Sequence, residues 1–386
     1  MKSRSSLGPD WIECPHCEAP CRRKRLPDGC ELRCARCGST VIEPIGKKTF
    51  QPALALSLAG LFALCLANIS PVLTFDVSGR EQAGYIFTGV KELMNQGYWM
   101  IALLVFFASI FAPALYLASV SYVSAACAFR LRLPHVSLCF HITDWAEPWN
   151  LIPVYSIATV VSVVKLRMIG GVTWNDGARW VLGVAVLTLL AQQVFDRRLV
   201  EHRLEALGAH AGRERGGMMT DSFRVSTARA LVTTAALLYI PSNMIPVMTM
   251  TVAGKTEPLT VLGGVKELWD SNLPAIAGVV FLASFVVPFL KVISLSWILW
   301  LHGTDLHQSS RNSIHRIVHR IGSWSMIDIF LLAVLSAVGQ LGALGSVIAN
   351  PGAIYFCCVM ICCLFAAEIY KPRLIWESHE ELTTSV

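Results

Sequence analysis

The sequence predicts an all-α polytopic membrane protein: two tandem four-helix transmembrane domains in parallel orientation, each with a small periplasmic β-hairpin region, behind an N-terminal cysteine ribbon. Three observations predict it. Residues 50–199 read again, without a gap, as residues 225–374; each copy holds four apolar blocks of membrane-crossing length; and two Cys-x-x-Cys pairs stand ahead of the first block.

The repeat comes first because it organises everything else. A shift of 175 takes Asn68 to Asn243, Pro71 to Pro246, Thr74 to Thr249, Ser109 to Ser284, Pro113 to Pro288 and Trp149 to Trp324, and the run Gly89-Val90-Lys91-Glu92-Leu93 becomes Gly264-Val265-Lys266-Glu267-Leu268. A gapless match of this length is a duplicated domain. The chain therefore divides into a ribbon at 10–45, a first four-span domain at 50–199, a linker at 200–224, a second four-span domain at 225–374 and a tail at 375–386.

Composition sets the class. Hydrophobic residues make up 54% of the chain and charged residues 15%, and the mean hydropathy is +0.55. That is too apolar for a soluble globule of this length. A bilayer core needs roughly 20 helical residues. Blocks of that size run near 53–74, 98–128, 149–168 and 178–196, then 228–250, 274–301, 324–345 and 352–370, which makes eight spans. The N-terminal segment, the second connection of each copy, the linker and the tail hold 24 Lys and Arg, against seven in the opposite connections. Positive segments stay cytoplasmic, so both termini are expected there and both copies face the same way. Inside-positive loops also account for the net charge of +6, and no nucleic-acid partner is implied. The charged start, with no apolar block until about residue 50, does not read as a signal peptide.

The ribbon is Cys14-Pro-His-Cys17 followed by Cys34-Ala-Arg-Cys37. Two short knuckles supplying two thiolates each complete a tetrahedral Zn2+ site, and this spacing is that of a zinc ribbon. With four thiolates and no open position the metal would be structural, one Zn2+ per chain. Cys21 and Cys30 remain as spare thiols. The cysteines of the apolar spans, including Cys357, Cys358, Cys362 and Cys363, read as small packing residues.

Within each copy the first span ends in a polar break, Asn68-Ile-Ser-Pro71 and Ser242-Asn243-Met-Ile-Pro246. Proline removes a backbone donor that Asn or Ser side chains can offset. The break is either a kink into the outer loop or a set of polar groups, with Thr249, on a translocation path. The connections 75–97 and 250–272 alternate apolar and polar residues about Gly79 and Gly254, the pattern of a short hairpin. The 309–321 segment places Ile314, Ile317, Val318 and Ile321 on one face and Arg311, His315, Arg316, His319 and Arg320 on another, as in a helix resting on lipid headgroups.

The copies differ where ionisable residues enter the spans. Copy two has Lys291, Asp328 and Glu368; copy one has Tyr116, Pro153 and Gln193 at those positions. Charges inside a bilayer are expensive and face a partner or a cavity. Either Lys291 pairs with Asp328 or Glu368 as a helix clamp, or these residues line a cavity for a phospholipid headgroup, with Lys291 meeting the phosphate.

The cysteine ribbon, the tandem copies, the motif Asn-x-x-Pro-Val-x-Thr, the Gly-Val-Lys-Glu-Leu run and Trp324-Ser325-Met326-Ile327-Asp328 together resemble the paraquat-inducible protein A / LetA family, over about residues 10–376. The chain departs from the two-ribbon pattern of some members, and Trp149-Asn-Leu-Ile-Pro153 replaces the Trp-Ser-Met-Ile-Asp pattern in copy one. The resemblance implies a bacterial inner-membrane protein, not an enzyme, that loads or unloads phospholipids for a periplasmic MCE-domain tunnel to maintain the outer membrane. The rival reading is a proton-coupled secondary transporter of another amphipathic substrate, with Lys291 and an acid as relay. The sequence carries no Walker-type nucleotide fingerprint.

Overall fold

The computed structural model describes residues 11–14, 19–22, 32–36, 38, 40–42, 50–77, 80–167, 171–206, 221–252, 255–270, 272–301, 308–321, 326–338 and 345–370. The N-terminal part forms two small antiparallel hairpins, β1 (Trp11–Glu13) with β2 (Pro20–Arg22) and β3 (Leu32–Arg33) with β4 (Thr40–Ile42).

Copy one follows as α1 (Gln51–Ile69), β5 (Leu73–Val77), β6 (Arg80–Gly84), α2 (Ile86–Asn95), α3 (Trp99–Phe106), a π-helical turn (Phe107–Phe111), α4 (Ala112–Phe129), α5 (Val136–Ala146), a 3-10 turn (Glu147–Trp149), α6 (Ile152–Arg167), β7 (Gly171–Trp174), α7 (Asp176–Val194) and α8 (Arg197–Ala206). Copy two repeats it as α9 (Asp221–Met244), β8 (Met248–Val252), β9 (Lys255–Leu259), α10 (Val261–Asp270), α11 (Pro274–Phe281), a π-helical turn (Leu282–Val286), α12 (Val287–Trp300), α13 (Gln308–Ile321), α14 (Ile327–Val338), β10 (Gly345–Ala349) and α15 (Pro351–Ile369). The hairpin strands, the helix after them, both π-turns and the last helix keep the shift of 175 residue for residue.

The π-turns have a shared cause. Pro113 and Pro288 stand just after them, have no N–H to give to the preceding turn, and would crowd the carbonyl four residues back. Widening that turn to i→i+5 bonding absorbs the clash without breaking the helix. The sequence expectation of one hairpin per copy is refined: each sheet has three strands, in the order β6-β5-β7 and β9-β8-β10. Registers match across the copies, Leu73 facing Gly84 and Trp174 where Met248 faces Leu259 and Ala349.

One clamp fixes each sheet to the last helix of its copy. The carbonyl of Pro71 accepts the Gly177 N–H at 3.1 Å, as Pro246 does from Gly352 at 3.1 Å. Asn175 Nδ2 donates to Thr74 Oγ1 at 2.6 Å, as Asn350 does to Thr249 at 2.6 Å. The approach is so close that a Cβ on Gly177 or Gly352 would fall 2.5 or 2.4 Å from those proline carbonyls. Glycine is required there for space.

Among the described residues five helices are long and apolar enough to cross a membrane: Gln51–Ile69, Trp99–Phe129, Asp176–Val194, Pro274–Trp300 and Pro351–Ile369. Their outward faces carry large apolar side chains, such as Phe62 at 64% and Ile69 at 74% exposure, as expected of surfaces that meet lipid. The eight expected spans are not all of that kind. Helix α9 has 24 residues but carries Asp221, Arg224 and Arg229 in its first half and Pro241 near its end. Helix α6 begins only at Ile152, because the chain ahead of it turns through the 3-10 segment and does not continue as helix, and α14 is described over Ile327–Val338.

At the sheet end a single apolar core joins the copies, drawing on α1, α2, α3, α6, α7, α11, α14 and α15. Away from the sheets the core divides into one cluster on α1, α4, α5 and α8 and another on α9, α12, α13 and α15. The third helices do not pack alike. The two third helices pack against each other across the copies, but α6 also lies against α7 of its own copy, whereas α14 lies against α2 of copy one. A Cβ on Gly89 of α2 would stand 2.4 Å from the Ala333 carbonyl of α14. Gly264, its counterpart, instead lines an apolar cleft with Val261, Val280, Leu331 and Leu332.

Candidate functional site

Lys291 is the most unusual side chain of the helical core. It lies on α12 five residues beyond the π-turn, is 3% exposed, and faces α15 beside Cys363. A cation sealed at that depth costs several kcal/mol unless other groups meet it. Tyr116 occupies the matching place in copy one and is 1% exposed, so the frame buries this position in both copies and only copy two puts a charge there.

The other expected cavity residues fall at different places along the helices. Glu368 lies on α15, five residues beyond Cys363, and is exposed. Asp328 falls in the first turn of α14; its side chain lies outside what the structure describes. Ser242, Asn243 and Thr249 sit at the sheet end. The Tyr239 hydroxyl donates to Phe285 O at 3.0 Å, which aligns α9 with the π-turn of copy two. Lys291 is six residues away from that level in one direction, about 9 Å, while Ser242 and Asn243 lie in the other.

Those sheet-end residues are engaged locally. Ser242 Oγ and Asn243 Nδ2 both donate to Tyr239 O at 2.8 Å, and Asn68 Nδ2 likewise bonds Leu64 O at 2.8 Å. Each of these bonds runs back three or four residues within the helix that carries the donor. Thr249 belongs to the clamp on Asn350. The partners that sequence reasoning missed, Asn175 with Gly177 and Asn350 with Gly352, were detectable as an Asn-x-Gly at the same offset in both copies.

The 308–321 helix is rotated about its axis relative to expectation: Ile314 and Val318 stay inside, joined there by Arg311 and His315. Arg311 is 0% and His315 4% exposed, whereas Ile317 is 56% exposed. The inward stripe is Arg311, Ile314, His315 and Val318, which keeps the 3–4 residue helical spacing, and Ile317 points out. Arg311 donates to Ile298 O at 3.1 Å and Arg229 to Leu299 O at 3.2 Å. Two guanidinium groups thus meet the carbonyls that the end of α12 leaves open, where the helix dipole favours cations. The expectation failed because Arg can be buried when a helix end supplies its acceptors. Copy one has Val136 and Phe140 at the positions of Arg311 and His315, both buried. Its own charges lie outside, where Arg197 joins Asp144 at 2.9 Å and also Glu147.

Of the ribbon cysteines, Cys14 and Cys34 are 1% and 2% exposed, and Cys17 and Cys37 lie outside the described residues. The Arg36 N–H donates to Cys34 Sγ at 3.4 Å, and Gly38 takes φ +70° where its N–H reaches Cys34 O at 2.9 Å. A buried sulfur receiving a backbone N–H within a tight turn suits a thiolate ligand, so the donors present fit a zinc knuckle.

With that geometry in place, the chain can be set beside known proteins. The pattern of the family described as "Paraquat-inducible protein A" matches residues 50–205 and again 225–380. The chain is 28% identical to "Intermembrane transport protein PqiA" of Escherichia coli (strain K12), over 96% of each chain. It is 23% identical to "Lipophilic envelope-spanning tunnel protein A" of the same organism, over 96% of this chain and 92% of that protein. A "Probable intermembrane transport protein" of Haemophilus influenzae is 21% identical over 96% of each chain. No solved structure matches the chain.

Proposed function

The chain belongs to the paraquat-inducible protein A family, and from that premise we propose that it is a bacterial inner-membrane component of a phospholipid transport system, loading or unloading lipid for a periplasmic MCE-domain tunnel. The relatives' names, which speak of intermembrane transport and an envelope-spanning tunnel, support transport and not catalysis. In this reading the chain crosses the membrane eight times, both termini are cytoplasmic, the sheets face the periplasm, and one structural Zn2+ sits on Cys14, Cys17, Cys34 and Cys37.

The observation that carries the lipid reading is Lys291: a cation 3% exposed in an apolar helix, where the duplicated frame accepts a neutral tyrosine. Replacing a buried charge by apolar packing costs a fold little, so a retained lysine supports a role for the charge. Its role is to meet a headgroup phosphate, with Asp328 or Glu368 balancing it when no lipid is present. Reconstitution in vesicles with fluorescent phospholipid tests this. Lys291→Ala and Asp328→Ala should each abolish transfer at unchanged protein level, and full transfer by a Lys291→Met, Asp328→Leu double variant would refute the headgroup role.

A further inference from the structure

Between the two aromatic pairs that join the copies lies a buried amide with nothing to bond. Asn150 is 6% exposed, and neither its Nδ2 nor its Oδ1 has a hydrogen-bond partner. Its backbone is accounted for: the Asn150 N–H donates to Glu147 O at 3.2 Å, and the next N–H, of Leu151, to Ala108 O at 3.3 Å. Ala108 belongs to the π-turn of copy one. Asn150 therefore sits where the chain breaks ahead of α6, against the place where its neighbouring helix is widened.

The seam is aromatic on both sides of this point. Trp149 meets Phe107 of copy one at 5.4 Å and Phe365 of copy two at 5.7 Å, and Tyr155 meets Phe330 of copy two at 5.6 Å. A second orphan lies at the same depth. Ser156 Oγ donates to Val181 O at 3.3 Å, and α6 and α7 are joined by the short connection through β7 and run back along each other. From that contact Thr188 is seven residues further along α7, as Asn150 is six residues back from Ser156. The Thr188 hydroxyl is fully buried and has no partner. The nearby carboxylates of Asp144 and Glu147 are drawn onto Arg197.

Buried amides in native proteins are almost always satisfied. We infer that Asn150, with Thr188 at its depth, is a neutral hydrogen-bonding site in the seam between the copies for a phospholipid whose headgroup carries its own hydrogen-bond donor. The inference rests on the phospholipid reading above and adds selectivity to it. Nδ2 can donate to a phosphate or ester oxygen, which every phospholipid has. Oδ1 accepts only, so it needs an N–H or O–H from the ligand. Ethanolamine and glycerol headgroups supply one; choline does not.

The test uses the full chain in nanodiscs holding equal amounts of phosphatidylethanolamine and phosphatidylcholine with the same acyl chains, with retained lipid counted by native mass spectrometry. The wild type should keep the ethanolamine lipid over the choline lipid by roughly fivefold, the size of one neutral hydrogen bond. Asn150→Leu, of similar shape, should erase the preference while accumulating at least as well as the wild type, because two orphaned atoms are gone; Asn150→Ala should erase it too. Equal retention by the wild type, a choline preference through the aromatic rings, or a preference that survives in Asn150→Leu would each overturn the inference. Lys291→Ala separates it from the wider reading, since that variant should lose both lipids together. A wild type that retains no phospholipid would overturn the proposed function and the selectivity with it.

Discussion

Copy one and copy two place their sheets, π-turns and last helices at positions 175 apart, yet where copy one buries Tyr116, Val136 and Phe140, copy two buries Lys291, Arg311 and His315. The difference separates two kinds of constraint. What the copies share is backbone geometry: a proline that widens a helix, a glycine that admits a carbonyl, an Asn–Thr bond that ties a strand to a helix. What they do not share is the chemistry enclosed by that geometry. Their packing also differs, since α6 adds α7 of its own copy to its contact with α14 while α14 adds α2 of copy one, so duplication has produced two different neighbourhoods.

Four measurements can break or sharpen this comparison. The largest effect belongs to the ribbon, which precedes copy one alone: Cys34→Ser should take the zinc content of the purified chain from one per molecule to none. Zinc unchanged in the variant, or absent from the wild type, would remove the ribbon from the account. Next come the clamp glycines. Gly177→Ala and Gly352→Ala should each cost about 3 kcal/mol, because a new Cβ meets a backbone carbonyl that cannot move aside cheaply. The two losses in thermal stability should be alike, and a loss confined to one copy would deny the shared frame.

The third pair should behave unalike. Gly89→Ala forces α2 off α14 and should cost about 2 kcal/mol, whereas Gly264→Ala enters a cleft and should stay within about 0.5 kcal/mol. Equal losses would mean that α14 does not distinguish the copies. The smallest effect is that of Asn175→Ala and Asn350→Ala, about 1 kcal/mol each for one hydrogen bond. A drop in one variant only would show that the clamp serves one copy.

Much of the frame was legible in the sequence because repetition exposes it: the strands β5 and β8 and the breaks at Pro71 and Pro246 fall on motifs that recur, whereas the helices Ile86–Asn95 and Val261–Asp270 stand inside connections expected to be hairpins alone. The third strands were not, since Gly171-Val-Thr-Trp174 is too short to show an alternation. The inward turn of the 308–321 helix was hidden because Arg311 and His315 look like surface residues until the open end of α12 is seen to supply acceptors. Lys291 was legible as a charge in an apolar run. Asn150 was not, because an Asn before a helix reads as a cap, and only the fold shows that both its amide atoms are buried and unmet.

The central claim is that a shared frame encloses a working charge in copy two and an inert group in copy one. Its most direct test compares Lys291→Met with Tyr116→Met in phospholipid transfer by the reconstituted protein, at matched protein level, the methionines filling both sites without charge. The account predicts that Lys291→Met falls to background while Tyr116→Met keeps most of its activity. Wild-type transfer by Lys291→Met, or equal loss in both variants, would contradict it.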